Sequence, residues 1–226
     1  PPRLLLRRPA LGRRGARRLL LSAPLLAPGG SIEADRSQAN YLLNVLRLKD
    51  TDRILVFNGK DGEWLAEIVA TGRKACLLKL VEQVREQTTA IDLHYLFAPL
   101  KHARLDYMVQ KAVEMGAGSL RPVMTQYTQA SRVNLERMEA NIIEAAEQCG
   151  GTFVPEVRAL QRLDRLLADW PGDRQLMFCD EALAGAAQSL PDGLRGVPWA
   201  VLIGPEGGLA AQGHEPQGRT RRRSRS

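Results

Sequence analysis

Residues 199–208 read WAVLIGPEGG, an apolar run that passes directly into a glycine-rich turn. A short apolar run bounded by turn residues is typical of a buried strand. In an open α/β sheet, ligands bind beyond the carboxyl ends of the strands, and glycines let the backbone approach a ligand closely. The stretch therefore predicts a ligand loop or an ordinary tight turn, and the pattern alone does not separate the two.

Strands and helices alternate upstream of this stretch, from Ile91 onward. Apolar residues at helical spacing predict two long helices, Arg104–Met115 and Leu135–Gln148, with Asn134 placed to cap the second. Pro122 indicates an edge or irregular strand. The remaining elements predicted here are a short helix over Leu163–Ala168 and strands over Ile91–Ala98, Leu120–Met124, Glu156–Leu160, Gln175–Cys179 and Val201–Ile203. This alternation predicts an α/β domain with a mostly parallel sheet.

The preceding part of the chain, residues 19–85, has the pattern of a small β domain. Short β-prone runs separated by glycine-containing turns predict strands over Arg53–Phe57, Glu63–Val69 and Ala75–Val81. Residues 37–48 have the apolar spacing of a short helix, and the polar residues 82–90 suit a linker. Two structural units of different class are therefore expected.

The positive charge of the chain is concentrated at its two ends. The formal net charge is +7, yet residues 1–18 hold seven arginines and residues 209–226 hold five, while all six lysines lie between them. The middle of the chain is slightly acidic. Arginine-rich ends without lysine are typical of GC-rich DNA translated out of frame, and they also suit a disordered nucleic-acid-binding tail.

Three widely spaced cysteines argue against a disulfide framework and against a zinc site, since no CxxC pair is present. We therefore expect reduced thiols in a cytoplasmic protein that has no metal and no membrane segment. Gly116–Gly118 resembles the start of a dinucleotide fingerprint, but it follows a helix and lacks the third glycine, so it is better interpreted as a helix-ending turn.

Five blocks, in order along the chain, resemble the RsmE family of SPOUT-class RNA methyltransferases, which act on N3 of a uridine in small-subunit ribosomal RNA. They are Gln38–Leu48 (QANYLLNVLRL), Val56–Trp64 (VFNGKDGEW), Gln110–Gly116 (QKAVEMG), Glu144–Cys149 (EAAEQC) and Val201–Leu209 (VLIGPEGGL). One such block would be weak, whereas five collinear blocks are specific.

The resemblance implies a fold and a chemistry. The fold is an N-terminal PUA-like β-barrel followed by a SPOUT-type α/β domain with a deep trefoil knot. The knot of this family binds S-adenosylmethionine, and its members form homodimers. The implied domains are 18–85 for the barrel and 86–208 for the methyltransferase domain, with 1–17 and 209–226 as arginine-rich extensions. The implied partner is 16S rRNA in the 30S ribosomal subunit.

The resemblance also names candidate site residues. The cofactor loop would comprise Leu202, Ile203, Gly204, Pro205, Glu206, Gly207 and Gly208. Cations in family-matching blocks are candidates for phosphate contacts, namely Arg18, Arg47, Lys101 and Lys111, although each also suits a solvated surface position. Asp180 and Glu181 follow a strand end and suit either a catalytic base or a solvated loop. No catalytic base is assigned.

The resemblance stops near Leu209, where the family continues into a segment that threads the knot. A truncated or frameshifted sequence would account for this, and the knot is then expected to be incomplete. Two alternatives to an active methyltransferase therefore stay open. One is an inactive RNA-binding remnant of such an enzyme, and the other, which the missing phosphate motifs disfavour, is a generic α/β nucleotide-binding protein.

Overall fold

The computed structural model describes residues 17–23, 25–126, 128, 132–179 and 196–204. Several predictions lie outside this part of the chain. They concern the two arginine-rich ends (residue 17 excepted), the knot beyond Gly204, the loop residues Pro205, Glu206, Gly207 and Gly208, and the acidic pair Asp180 and Glu181.

The first unit is a five-stranded sheet, as the sequence predicts. Its strands are β1 (Arg18–Leu20), β2 (Ser31–Glu33), β3 (Arg53–Phe57), β4 (Glu63–Gly72) and β5 (Ala75–Arg85). Their spatial order is β1-β3-β4-β5-β2. All neighbours are antiparallel except β1 and β3, which are parallel. The predicted linker is wrong at its start, because residues 82–85 continue β5 and pair with residues 63–65 of β4.

A short helix and a π-helical turn cover this sheet. Helix α1 (Arg36–Asn40) begins at Asp35, whose carboxylate accepts from the backbone N–H of Gln38 in a capping box. The chain then widens into a π turn over Tyr41–Val45. Residues 37–48 therefore do not form the single regular helix that their spacing predicts, although Ala39 and Leu42 are fully buried in the first core.

The second unit is a parallel sheet, which confirms the predicted α/β class. Its strands are β6 (Leu93–Phe97), β7 (Ser119–Met124), β8 (Glu156–Val157), β9 (Gln161–Arg162), β10 (Gln175–Cys179) and β11 (Trp199–Ile203). The order is β10-β11-β6-β7-β8, with β9 also paired to β7. Every pair in this sheet is parallel.

Helices cover both faces of the second sheet. Helices α2 (His102–Glu114) and α3 (Leu135–Cys149) share one core with Phe97 and Leu120, whereas α4 (Leu163–Ala168) packs on the opposite face against Leu96 and Leu202. The prediction for α3 is confirmed in detail. The side chain of Asn134 accepts from the N–H of Arg137, and the apolar stripe that contains Met138 and Ile142 is buried.

Pro122 does not mark an edge strand. Strand β7 lies between β6 and the short strands β8 and β9. On the latter side, β8 pairs only with Ser119 and Leu120, and β9 pairs only with Val123 and Met124. The ladder is interrupted at Pro122, so a residue without an N–H is accommodated inside the sheet.

A joint of buried polar contacts connects the two units, and Arg18 is its centre. The Arg18 guanidinium donates to Glu63, to the carbonyl of Ala146 (2.8 Å) and to the carbonyl of Gly151 (2.7 Å). It also lies 4.6 Å from the centre of the Phe57 ring. The last carbonyls of α3, which have no partner within the helix, are thereby satisfied by a cation.

Other contacts reinforce the same joint. Glu147 accepts from the backbone N–H of Leu20 at 2.9 Å, and burial raises the pKa of its carboxyl group. The hydroxyl groups of Thr88 and Thr152 lie 2.7 Å apart. Phe57, from the first sheet, is fully buried in the core formed by α2 and α3. The joint therefore combines apolar burial with saturated hydrogen bonding.

Candidate cofactor and RNA site

Three neighbouring strands of the second sheet end together at one edge. The Cα partners are Cys179 with Ile203 and Ile203 with Phe97, so β10, β11 and β6 stop at the same level. The backbone N–H of Ala98 donates to the carbonyl of Ile203 at 3.2 Å. We call this the carboxyl edge. It is the place where open α/β sheets bind ligands.

The predicted cofactor residues at this edge differ in their exposure to solvent. Leu202 is only 2% exposed and belongs to the core under α4, so only its backbone could contact a ligand, and its place in the cofactor loop stays a prediction. Ile203 is 39% exposed, and Gly204 follows it without a side chain. Ile203 and Gly204 are therefore the described residues of the loop that can contact a ligand.

The carboxyl edge also contains apolar surface that sequence reasoning missed. Phe178 of β10 is 39% exposed although it lies in a strand, and the neighbouring Cys179 is exposed with a free thiol. Phe178 pairs with Leu202 and so lies on the α4 face, whereas Ile203 pairs with Phe97 and lies on the opposite face. The edge therefore exposes one large apolar side chain on each face. The only signal in the sequence is that Phe178 lies one residue before a predicted strand end.

Of the predicted RNA contacts, Lys101 lies closest in the chain to this edge. It is exposed and immediately precedes α2, four residues after Phe97. Lys111 lies further along α2, about 15 Å from Lys101 along the helix axis. Its ammonium group donates to both carboxylate oxygens of Glu114, at 2.9 and 2.7 Å, which raises its pKa and neutralises its charge locally.

Arg47 and Arg18 belong to the first unit and differ sharply. Arg47 is exposed and has a positive φ of 56°, so it projects from a turn with its charge in solvent. The side chain of Arg18 is 7% exposed and its guanidinium is occupied by the joint. The prediction that Arg18 contacts RNA is therefore wrong for this structure, because the residue links the two units.

A second concave surface lies on the α2 side of the parallel sheet. It has a cavity volume of about 740 Å³ and is lined mainly by apolar groups, including Leu93, Tyr95, Met108 and Val201. Tyr107 and Met115 border it and are 63% and 80% exposed. An apolar groove with exposed rims of this kind is typical of an interaction surface.

Two structural features are absent from the described ranges. None of the helices described there is long and apolar enough to span a bilayer. Among the same residues, no group of three or more histidine, cysteine or acidic side chains is placed to hold a metal ion.

Two family models match the chain in the order of its two units. A model described as an RNA methyltransferase PUA domain matches residues 34–81, and a model described as an RNA methyltransferase domain matches residues 87–215. The first match lies in the five-stranded sheet and the second includes the whole parallel sheet.

Curated relatives and a solved structure agree with these matches. The ribosomal RNA small subunit methyltransferase E of Rickettsia conorii is 29% identical over 188 residues, covering 81% of this chain and 76% of the relative. The protein of the same name from Synechocystis is also 29% identical, over 81% of this chain and 63% of the relative. The structure of ribosomal RNA small subunit methyltransferase E from Neisseria gonorrhoeae, bound to S-adenosyl methionine, has a TM-score of 0.74 at 22% identity, covering 87% of this chain and 82% of that one.

Proposed function

We propose that this chain, which belongs to the RsmE family of RNA methyltransferases, methylates N3 of a specific uridine in 16S rRNA. The methyl donor is S-adenosylmethionine. The observation that carries this proposal is the carboxyl edge. There, β11 ends in an exposed Ile203 and in Gly204, level with the ends of β10 and β6.

The described residues of the carboxyl edge suit the methyl donor. Ile203 offers apolar surface to an adenine ring, and Gly204 allows close approach of the backbone. Bound S-adenosylmethionine would supply an electrophilic methyl group on a sulfonium sulfur, which is the chemistry that the protein itself lacks. The contribution of the chain is to align the two reactants and exclude water.

The target atom places further demands on the site. Uridine N3 carries a proton and lies on the Watson–Crick edge, so the nucleotide must be unpaired when it is methylated. Lys101 supplies positive charge beside the carboxyl edge, where it can contact the phosphate of that nucleotide. Arg47 is our proposed phosphate contact in the first unit, and Lys111 is a weaker one because Glu114 competes for it. The proposed substrate is the 30S subunit, in the cytoplasm.

A homodimer is part of this proposal. The apolar groove on the α2 side, bordered by Tyr107 and Met115, would be covered by a second copy of the chain. Sedimentation analysis should then show a species of twice the chain mass. Replacing Met115 by Lys should shift this species toward the monomer, and an unchanged sedimentation profile would count against this interface.

Calorimetric titration of the full chain with S-adenosylmethionine tests the cofactor assignment. We expect saturable binding at one site, followed by N3-methyluridine in 16S rRNA when the protein is incubated with 30S subunits and nucleosides are analysed by mass spectrometry. Ile203→Gln should weaken cofactor binding about ten-fold, because it removes apolar contact from the carboxyl edge.

Ile143→Gln is the matched control for that variant. Ile143 is an equally exposed isoleucine (36%) on α3, and its replacement should leave cofactor affinity unchanged. A folded wild-type sample that does not bind the cofactor would overturn the proposal. RNA binding would then be the remaining activity.

A further inference from the structure

A second groove lies on the α4 face of the parallel sheet, and arginines line it. Its walls come from β7, from the segment that joins β8 to α4, and from α4 itself. The lining includes Arg121, Arg158, Arg162 and Arg165 against a single acidic residue, Asp169, and the cavity volume is about 640 Å³. We call it the arginine groove.

Two of the four arginines have partners that they can exchange. Arg162 donates to Asp164 at 2.7 Å, and Arg158 lies 2.9 Å from Glu156. All four of these side chains are more than half exposed. Exposed ion pairs contribute little stability, so an incoming phosphate can replace the carboxylate at small cost.

The other two arginines have unused donors. Among the described residues, the guanidinium of Arg165 has no hydrogen-bond or ion-pair partner, and that of Arg121 makes only one long contact, 3.5 Å from the Ser119 hydroxyl. A guanidinium has five N–H donors in a rigid plane. Both side chains therefore have donors that no described protein group uses and that an anionic partner could engage.

The environment of Arg121 supports the same interpretation. Burial lowers the pKa of this side chain, and repulsion by Arg158 and Arg174 lowers it further. A half-buried cation that faces other cations is electrostatically unfavourable by itself. A bound anion would relieve this repulsion.

We propose that the arginine groove binds the sugar–phosphate backbone of the RNA substrate. This inference rests on the proposed function and extends it by assigning a contact surface on the methyltransferase unit. Arginine recognises phosphate through paired N–H donors. The described lining of the groove contains no aromatic ring on which a base could stack, so the groove suits a backbone track and not a base pocket.

The position of the groove suits this role. Met124, at the carboxyl end of β7, lines it, so the groove reaches the same edge of the sheet at which β6, β10 and β11 end. A strand of RNA that lies in the groove would therefore be led toward the proposed methyl-transfer site.

Filter binding of the full chain to transcribed 16S rRNA, without cofactor and over a series of salt concentrations, tests the proposal. The double variant Arg121→Gln/Arg165→Gln should bind at least about ten-fold more weakly at 0.1 M salt. Its slope of log affinity against log salt should fall by about 1.4, as expected for two lost phosphate contacts on single-stranded RNA.

The matched control removes the same charge elsewhere. Arg73→Gln/Lys74→Gln changes two exposed cations in the turn between β4 and β5, and we expect its affinity to change less than two-fold. Equal losses in both double variants would reduce the effect to net charge and overturn the proposal. Unchanged affinity in the groove variant would overturn it as well.

Arg165→Glu keeps the test decisive if the double variant folds poorly. Arg165 is exposed on α4, so reversing its charge leaves the core intact, and it should weaken RNA binding by more than ten-fold. Cofactor calorimetry on the same variant separates the two proposals. Normal cofactor binding with unaltered RNA affinity in Arg165→Glu would overturn only the proposal for the arginine groove. Absence of cofactor binding in the wild type would overturn only the proposed methyl transfer.

Discussion

The joint and the arginine groove use the same residue type for opposite purposes. In the joint, Arg18 is 7% exposed and its donors are used by Glu63 and by the carbonyls at the end of α3. In the arginine groove, the donors of Arg121 and Arg165 are largely unused within the described structure. A saturated arginine holds a fold together, and an unsaturated one is available to a partner. The charge counted in a sequence does not distinguish them.

The largest loss of stability should come from removing the Arg18 side chain from the joint. Arg18→Ala leaves Glu63 as a buried carboxylate that has lost its closest partner, and removing one member of a buried pair typically costs about 3–5 kcal/mol. Urea unfolding would measure the change. Arg17→Ala is the neighbouring control, because Arg17 is exposed and makes one contact to the carbonyl of Leu46. A loss below about 1 kcal/mol for Arg18→Ala would remove the contrast between the two regions.

Gly62→Ala should strain the backbone beside the joint. Gly62 has a φ of +77°, and an added Cβ would lie 2.3 Å from the carbonyl oxygen of Arg85. Strain of this kind, together with the clash, should destabilise the protein by about 3 kcal/mol. Gly72→Ala is the control, since a Cβ there meets nothing within 4 Å. Similar melting temperatures for the two variants would contradict the assigned geometry.

The burial of His94 and the positive charge around it should make the stability of the protein depend on pH. Burial, together with Arg121 and Arg174, lowers the pKa of His94 to about 4, although Asp92 opposes the shift. Its Nδ1 has no hydrogen-bond partner in the described structure. Since the pKa in the unfolded chain is about 6.5, the unfolded state binds more protons between these values. Stability is therefore complete above pH 6.5 and is lost as the pH falls toward 4.

At pH 5 this loss should be about 2 kcal/mol. It is measurable as the difference between urea midpoints at pH 5 and pH 8. His94→Gln should remove that part of the difference, because glutamine does not titrate. An identical pH dependence in wild type and variant would place His94 in a less cationic environment than the one described.

The smallest effect on stability is expected in the arginine groove. Arg165→Gln should change the free energy of unfolding by less than about 0.5 kcal/mol, because Arg165 is exposed and has no described side-chain partner. Thermal melting would measure it. A stabilising effect would sharpen the comparison, since it would show directly that the groove holds unfavourable positive charge.

Local sequence patterns are sufficient to predict much of this fold. The stripe that includes Met138 and Ile142, with Asn134 before it, predicted α3 almost residue by residue. The five collinear blocks identified the family correctly. Both features depend on residues close together in the chain, where periodicity and motif spacing carry information.

Contacts between distant residues account for the errors. Arg18 meets Gly151 across 133 positions, and nothing near Arg18 in the sequence indicates that its charge is buried. Residues 82–85 are mostly polar, yet they extend β5 because β4 is long enough to pair with them. The arginines of the groove are dispersed along the chain and become a cluster only when β7 and α4 pack together. The roles of the glycine-rich loop beyond Gly204 stay predictions.

Strand β11 has a consequence for the nascent chain. It lies between β10 and β6, and it pairs Ala200 with His94, more than 100 positions earlier in synthesis. Until residues 199–203 emerge from the ribosome, β10 lacks this neighbour and β6 shows an open edge. Pairings between such distant segments form slowly, and unpaired strand edges invite aggregation. Vectorial synthesis therefore leaves the centre of this sheet open until almost the whole domain has been translated.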